Sequence, residues 1–319
     1  MNATGALHLT LWLPLAGALL IAVAGRYPDI RESVSILTSI LLFASVALLA
    51  PTVFDGERPT LMLAEPLPSL ALQLKVEPLG MLFALLASLL WIVTTIYSIG
   101  YMRARGEQHQ TRFYVCFALS LWAAVGMAYA GNLLTMFVFY EALTLSTYPL
   151  VTHAGTAAAR RGGRIYLGLL LGTSIIFLLF AIIWTWQLAG TLDFTEGGIL
   201  QGTAAPSLLG ILLMLYVFGI GKAAIMPFHG WLPAAMVAPT PVSALLHAVA
   251  VVKGGVFFIL KVSIYVFGVD TLLELDARQW LMYVAVATIL LASVVALRSD
   301  NLKIRLAYST ISQLSYIVL

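Results

Sequence analysis

Residues 219–233 read GIGKAAIMPFHGWLP, and they follow SLLGILLMLYVF at 207–218, a run without a charged residue. Lys222 therefore lies in an apolar stretch long enough to cross a lipid bilayer. A charged side chain at the centre of a membrane helix costs about 2.5–3.5 kcal/mol on insertion scales. The lysine must therefore pair with other buried groups or face water.

The composition is that of a membrane protein. Of the 319 residues, 61% are hydrophobic and only 10% are charged, and the mean hydropathy is +0.98. Soluble domains carry about 25% charged residues. A water-soluble fold of this length could not bury so much apolar surface. We therefore predict an all-α polytopic protein in the lipid bilayer of the inner (plasma) membrane.

Apolar runs of about 20 residues mark transmembrane helices, because that length crosses the bilayer core. The sequence predicts about 10 spans: 7–25, 33–52, 78–100, 113–130, 132–151, 165–189, 207–228, 242–267, 279–297 and one starting near 304. The last span is still apolar at Leu319, so we expect either a fragment of a longer chain or a second polypeptide that completes it. Residues 53–77 hold three prolines and are predicted to form an extended or hairpin-like external segment.

Charged residues between the spans follow a regular alternation. Loops after odd-numbered spans carry 11 of the 17 Lys and Arg residues and four acidic residues, whereas loops after even-numbered spans carry three basic and nine acidic residues. Basic residues favour the cytoplasmic side of a membrane protein. We therefore predict that the odd-numbered loops are cytoplasmic and that the N-terminus is outside. Because basic residues report topology here, the net charge of +3 does not indicate a nucleic-acid partner.

Cys116 is the only cysteine, and the sequence contains no CxxC pair and no Cys/His cluster. Iron–sulfur clusters and structural zinc sites need several such ligands. We therefore predict no metal site, no cofactor and no redox centre in this chain.

Four ionisable residues fall well inside the predicted spans: Glu141, Lys222, His247 and Lys253. Glu141 lies about ten residues into span five and Lys253 about 11 residues into span eight, which places both near mid-depth. An anion can offset the cost of burying cations at similar depth by pairing with them. These residue types also suit proton transfer, because each exchanges a proton when its surroundings change.

The backbone beside Lys222 is predicted to break. Gly219 and Gly221 flank the lysine, and Pro227 follows five residues later, which frees a carbonyl that water or a polar side chain must bind. The Gly254–Gly255 pair loosens span eight in the same way. Transporters build ion sites near the membrane midplane from broken helices of this kind.

Each candidate also has a purely structural interpretation. Glu141 could bond a neighbouring helix, Lys222 and Lys253 could form salt bridges that never exchange protons, and His247 could be a packing histidine. Lys261 is predicted to snorkel to the outer interface, because span eight ends six residues later.

Four other histidines are predicted to lie outside the apolar interior. His229 follows the Pro227 break and is predicted to be either an interfacial residue or a site of proton uptake. His8, His109 and His153 are predicted at the surface or the interface.

Four stretches together resemble one family of membrane proteins. They are VEPLGMLFALLASLLWIVTTIYSIGYM at 76–102, NLLTMFVFYEALTLSTYPLV at 132–151, GKAAIMPFHGWLPAAMVAPTPVSALLHAVAVVKGGVF at 221–257 and SDNLKIRLAYSTISQLSYI at 299–317. They are similar to the antiporter-like membrane subunits shared by complex I (NADH-quinone oxidoreductase subunits L, M and N) and Mrp-type cation/proton antiporters (subunits A and D). The resemblance covers nearly the whole chain after residue 70.

The resemblance implies two inverted five-helix repeats, each forming half of a proton channel. It implies that Glu141 on the fifth helix pairs with Lys222 on the seventh, and that Lys253, with His247, passes the proton on from the eighth. The implied domains are 1–112 with helices one to three, 113–267 as the first repeat with helices four to eight, and 268–319 as the truncated start of the second repeat.

The implied function is proton translocation, alone or in exchange for sodium, within a complex of several membrane subunits. Two settings stay open. One is a respiratory, complex I-like NADH-quinone oxidoreductase whose redox centres lie on other subunits, and the other is an Mrp antiporter driven by ion gradients alone. A non-conducting structural subunit, whose charged residues only pair, is the alternative.

Overall fold

The computed structural model describes residues 3–67, 70–245, 250–275 and 277–319. Within these ranges the protein is a polytopic, mainly helical chain, and seven of the described helices are long and apolar enough to cross a membrane. The chain divides into two compact units. The first comprises 1–131, 135–159 and 238–251, and the second comprises 132–134, 160–237 and 252–319.

The elements of the first half are α1 (Ala3–Val23), α2 (Pro28–Phe54), β1 (Thr60–Leu67), β2 (Leu70–Lys75), α3 (Pro78–Ala104), α4 (Gln110–Ala128) and α5 (Leu133–Val151). Those that follow are α6 (Ala157–Thr173), α7 (Leu179–Ala189), α8 (Pro206–Gly219), α9 (Trp231–Ala234), α10 (Thr240–Ala244), α11 (Val251–Lys261), α12 (Val269–Glu274), α13 (Ala277–Arg298) and α14 (Leu302–Val318).

In the first unit, α1 packs against α2 and α4, and α3 packs against α2 and α4. Small and hydroxyl side chains lie at these contacts, as is usual where apolar helices approach closely in a membrane protein. The Thr10 hydroxyl donates to the Ser45 hydroxyl (3.2 Å), which joins α1 to α2. A Cβ added to Gly17 would overlap with the side chain of Thr38.

The predicted hairpin in the first long loop is confirmed. Strands β1 and β2 pair in antiparallel fashion. The chain after α4 extends this pairing, because the N–H of Lys75 donates to the carbonyl of Tyr129 (2.7 Å) and the N–H of Gly131 donates to the carbonyl of Gln73 (2.9 Å). The hairpin is therefore held against the end of α4 by main-chain hydrogen bonds.

Helices α2 and α3 extend beyond the predicted spans 33–52 and 78–100. Charged residues at these helix ends neutralise one another, which explains why the helices continue past their apolar stretches. Arg103 forms ion pairs with Asp29 and Glu32 (both 2.5 Å), and Arg31 contacts Glu32 (3.3 Å). Arg31 and Glu32 are both buried.

The second unit contains the broken helices. Helices α6 and α7 are joined by a π-helical turn at Ser174–Leu178, and α8 packs against this turn. The close approach depends on Gly219, because an added Cβ would overlap with the backbone of Leu178. Helix α8 ends at Gly219, so predicted span 207–228 is interrupted as expected. Helices α13 and α14 form a hairpin in which the hydroxyls of Ser293 and Ser312 are 3.0 Å apart.

Gly255 permits the tightest contact in this region. A Cβ added at this position of α11 would overlap with the backbone of Lys222 and Ala223. At Gly255, the glycine pair seen in the sequence thus leaves room for a second backbone.

We predict that Gly255→Ala lowers the unfolding temperature of the purified protein, because overpacking a close contact costs about 1–3 kcal/mol. Gly172→Ala is the matched control, since an added Cβ on Gly172 meets no atom within 4 Å. Thermal unfolding of the detergent-solubilised protein measures both. Equal unfolding temperatures for the two variants would contradict the close contact.

Candidate functional site

Lys222 lies in the gap that follows α8. Gly221–Ala223 form a single 3-10 turn, and the lysine in its middle is fully buried, with 0% of its surface exposed. The turn is closed by the N–H of Ala223 donating to the carbonyl of Ile220 and the N–H of Ala224 donating to the carbonyl of Gly221 (both 3.0 Å). A lysine in this turn is buried without belonging to a continuous helix.

The side chain of Trp231, which comes ten residues later in the chain, binds the 3-10 turn. Its indole N–H donates to the carbonyl of Gly221 (2.9 Å), and its ring meets that of Tyr166 edge to face at 5.5 Å. Both aromatic side chains are fully buried. The carbonyl of Gly221 therefore accepts two hydrogen bonds, one within the turn and one from Trp231, which ties the turn to a later part of the chain.

The end of this segment contacts the last helix pair. The N–H of Met226 is 3.4 Å from the hydroxyl of Thr288 on α13, and the ring of His229 lies 5.9 Å from that of Tyr308 on α14. Burial lowers the pKa of His229, and its Nδ1 is buried without a hydrogen-bond partner among the described residues. A neutral imidazole with one unbonded nitrogen is suited to exchange a proton with water.

Lys253 lies on α11, two residues before the contact at Gly255. Because the backbone of Gly255 touches the backbone of Lys222 and Ala223, α11 crosses the turn that carries Lys222. Lys253 is half-buried. The second unit thus brings the two predicted lysines onto elements that are in direct contact.

Glu141 is in the middle of α5, in the first unit. Both of its carboxylate oxygens are buried and have no hydrogen-bond partner among the described residues. A buried carboxylate in this state is costly unless it is protonated or hydrated. Its pairing with Lys222, which belongs to the second unit, stays a prediction. His247 lies outside the described residues, so its role also stays a prediction.

The prediction that Lys261 snorkels to the interface is wrong. The side chain is fully buried, and its Nζ lies 4.3 Å from the ring of Phe194 and 4.5 Å from the ring of Tyr265. Both rings stabilise the ammonium group through cation–π interactions. Tyr265 follows Lys261 by four residues, a spacing that the sequence shows, whereas Phe194 arrives from the loop after α7.

The prediction that His153 lies at the surface is also wrong, since only 4% of its surface is exposed. It lies two residues beyond the end of α5. The apolar residues before it and the polar THAGT sequence around it give no sign of this burial, which results from the packing of α4.

Groups suited to bind a metal ion are scarce in the described ranges. No three His, Cys, Asp or Glu side chains there lie close enough to share one. The second unit therefore holds a buried lysine in a helix break and a second lysine on the helix that contacts this break. The first unit holds a carboxylate whose oxygens are buried.

Comparisons with known proteins identify the family of the chain. A family model described as NADH:quinone oxidoreductase/Mrp antiporter, TM, matches residues 130–319. A Staphylococcus aureus protein named as an antiporter subunit, mnhA2, is 32% identical over 253 residues, which is 77% of this chain. The corresponding Staphylococcus epidermidis protein is 31% identical over 258 residues. The chain spans 30% of the length of these curated relatives.

Solved structures show the same architecture. The Mrp complex from Dietzia sp. DQ12-45-1b contains a chain with a TM-score of 0.84 and 27% identity, and the match covers 100% of this chain and 34% of that one. A chain of the membrane-bound sulfane sulfur reductase, an archaeal respiratory membrane complex, matches with a TM-score of 0.82 over 99% of this chain and 64% of that one. Its identity of 22% supports the fold alone. The chain therefore belongs to the NADH:quinone oxidoreductase/Mrp antiporter transmembrane family.

Proposed function

We propose that this chain moves protons across the membrane as one subunit of a complex of several membrane proteins. The observation that carries this proposal is Lys222, which is fully buried in the broken region after α8 of a strongly apolar protein. Glu141, Lys222 and Lys253 are the proposed proton-exchanging groups, with His247 as the further relay.

The break in the helix after α8 provides a hydrated site in which Lys222 can exchange a proton. A lysine in a continuous lipid-facing helix would be costly and would have no route to water. Broken helices leave unpaired main-chain groups that water can bind, so they create hydrated sites at membrane depth. The contact at Gly255 then places α11, with Lys253, next to this gap.

The names of the relatives favour one type of complex over the other. The mnhA2 proteins are named as antiporter subunits, and the Dietzia structure is an Mrp complex. We propose that this chain works in an Mrp-type complex in which proton movement is exchanged for sodium. A respiratory complex is the second setting, which the family description favours because it also names NADH:quinone oxidoreductase. In either setting the partners are other membrane subunits.

A non-conducting scaffold is the competing function. Lys261 shows that this chain can bury a lysine in a structural role, because two aromatic rings contact its ammonium group. Glu141 argues against extending this interpretation to the whole site. A carboxylate that only stabilised the fold would be expected to accept hydrogen bonds, whereas its oxygens have none among the described residues.

We also propose the orientation of the chain. The excess of basic residues in the odd-numbered loops favours a plasma-membrane protein with its N-terminus outside. The β1–β2 hairpin would then lie on the outer side.

We predict that Lys222→Ala reduces proton flux about a hundredfold, the scale on which loss of a proton-transfer group slows a reaction. Flux is measured as dye quenching in sealed vesicles that contain the assembled complex. Lys303→Ala, at the start of α14, is the control and should leave flux unchanged. Normal flux in Lys222→Ala, at equal protein abundance, would establish the scaffold function instead.

Glu141→Gln is predicted to leave assembly intact and to reduce flux strongly. Glutamine keeps the volume of the side chain but cannot carry the negative charge or release a proton. Native gel electrophoresis reports assembly, and the vesicle assay reports flux. The control is Glu196→Gln, in the exposed loop after α7. If Glu141→Gln instead destroys the complex while its flux per assembled complex stays normal, Glu141 is a structural residue.

A further inference from the structure

His153 combines burial with unsatisfied polar atoms. It lies just beyond α5, and its ring packs edge-on against the ring of Phe113 at 5.9 Å. Both ring nitrogens are buried and have no hydrogen-bond partner among the described residues. Packing alone does not explain an imidazole here, because an apolar ring would fill the same space without leaving buried polar atoms.

The groups around His153 connect it to water. Its Nε2 lies 3.9 Å from a carboxylate oxygen of Glu107, whose side chain is 27% exposed. Glu107 and His109 line a cleft of about 560 Å³ at the ends of α2, α3 and α4. The cleft is open to solvent, so Glu107 bridges bulk water and the buried imidazole.

Burial is the main cause of the protonation state of His153. It lowers the pKa of the imidazole to about 4, and the charges of Arg112 and His109 act in the same direction, whereas the backbone of Gln108 acts in the opposite direction. The imidazole is therefore neutral at pH 7 despite the nearby Glu107 carboxylate. A neutral imidazole accepts a proton at one nitrogen and donates one from the other.

Further buried polar atoms lie along helices α4 and α5. Helices α4 and α5 are joined by the hydroxyls of Ser120 and Ser146, 3.2 Å apart. On α4, the Trp122 indole N–H is buried without a described partner, and its ring packs against that of Phe139 on α5. Both oxygens of Glu141 on α5 are also buried without a described partner. We call these residues, Ser120, Trp122, Glu141 and Ser146, the α4–α5 seam.

The seam leads from His153 towards Glu141. Ser146 lies in the last two turns of α5, and His153 lies two residues beyond the end of that helix. Glu141 precedes Val151, the last residue of α5, by ten residues, which is about 15 Å along the helix axis. Buried polar atoms without protein partners are normally bonded to internal water, which needs several such partners. Unsatisfied atoms repeated along one helix pair therefore indicate a row of water molecules.

We propose that Glu107 and His153 form the proton-uptake end of a hydrated route that follows the α4–α5 seam to Glu141. This inference rests on the proposed function, since it supplies the protons that the proposed site moves. In one transfer the imidazole takes a proton from the Glu107 side on its bare nitrogen and releases the proton of its other nitrogen to seam water. The ring is neutral before and after the transfer but has changed tautomer, and a rotation about the Cβ–Cγ bond restores the starting arrangement.

A structural role makes a different prediction at this position. Arg112 donates to the backbone carbonyl of His153 (3.2 Å), and any residue at position 153 keeps that bond. If His153 only packs against Phe113, a phenylalanine should replace it without loss. If it transfers protons, a phenylalanine should block the route.

The first test measures hydration and does not depend on transport. Cys116 is the only cysteine of this sequence, so Cys116→Ala gives a background in which His153→Cys is its single thiol, and mass spectrometry of the peptide that contains position 153 distinguishes it from thiols elsewhere in the complex. Leu150→Cys is the matched control, because Leu150 on α5 is fully buried. With the assembled complex and a small, charged methanethiosulfonate reagent, the thiolate at position 153 should react about tenfold faster than that at position 150. Equal, slow rates at both positions would show that the route is dry and would overturn the proposal.

The second test measures transport. His153→Phe should reduce proton flux several-fold at normal abundance. His153→Gln, which keeps polar atoms but cannot exchange protons as imidazole does, should show the same loss. If both variants have normal flux while Lys222→Ala is inactive, the uptake route is wrong and the proposed function stands. If Lys222→Ala also has normal flux, the proposed function fails, and the labelling rates still decide whether the route is hydrated.

Discussion

The structure depends on burying an ammonium group at a place where the backbone stops being helical. Lys222 lies in a 3-10 turn, and the gap after α8 supplies main-chain groups that a continuous helix would have used internally. Trp231 bonds the carbonyl of Gly221, and Gly255 allows α11 to touch the turn directly. Replacing the turn with a regular helix would remove the polar surroundings that make a buried lysine tolerable.

The described parts of the chain bury ionisable groups in three distinct ways. Lys261 is held between aromatic rings, an arrangement that favours a fixed charge. Arg31 and Glu32 neutralise each other at the end of α2. Glu141 and His153 instead retain buried atoms without hydrogen bonds to described residues. The first two arrangements give each charged group a partner, whereas the third does not, and our proposals concern the groups of the third kind.

Much of this architecture could be predicted from residue patterns. Apolar runs located the helices, Gly219, Gly221 and Pro227 indicated the break in the seventh span, and the proline-rich segment before α3 predicted the hairpin. These features are local, because chain length across a bilayer and backbone hydrogen bonding fix them within a few residues. The predictions for Lys261 and His153 failed because depth along a span does not reveal which loops cover its end.

The sequence by itself determined that this is a polytopic membrane protein of the antiporter-like family and that its charged residues inside apolar spans need a special environment. Hydrophobicity and helix-breaking residues carry that information, since each acts through its own segment. Only the tertiary structure decided which buried ionisable groups have a partner in the fold. Phe194 reaches Lys261 from a distant loop, α11 meets the turn of Lys222, and α4 encloses His153. These contacts join residues far apart in the chain, and their geometry depends on how whole helices pack.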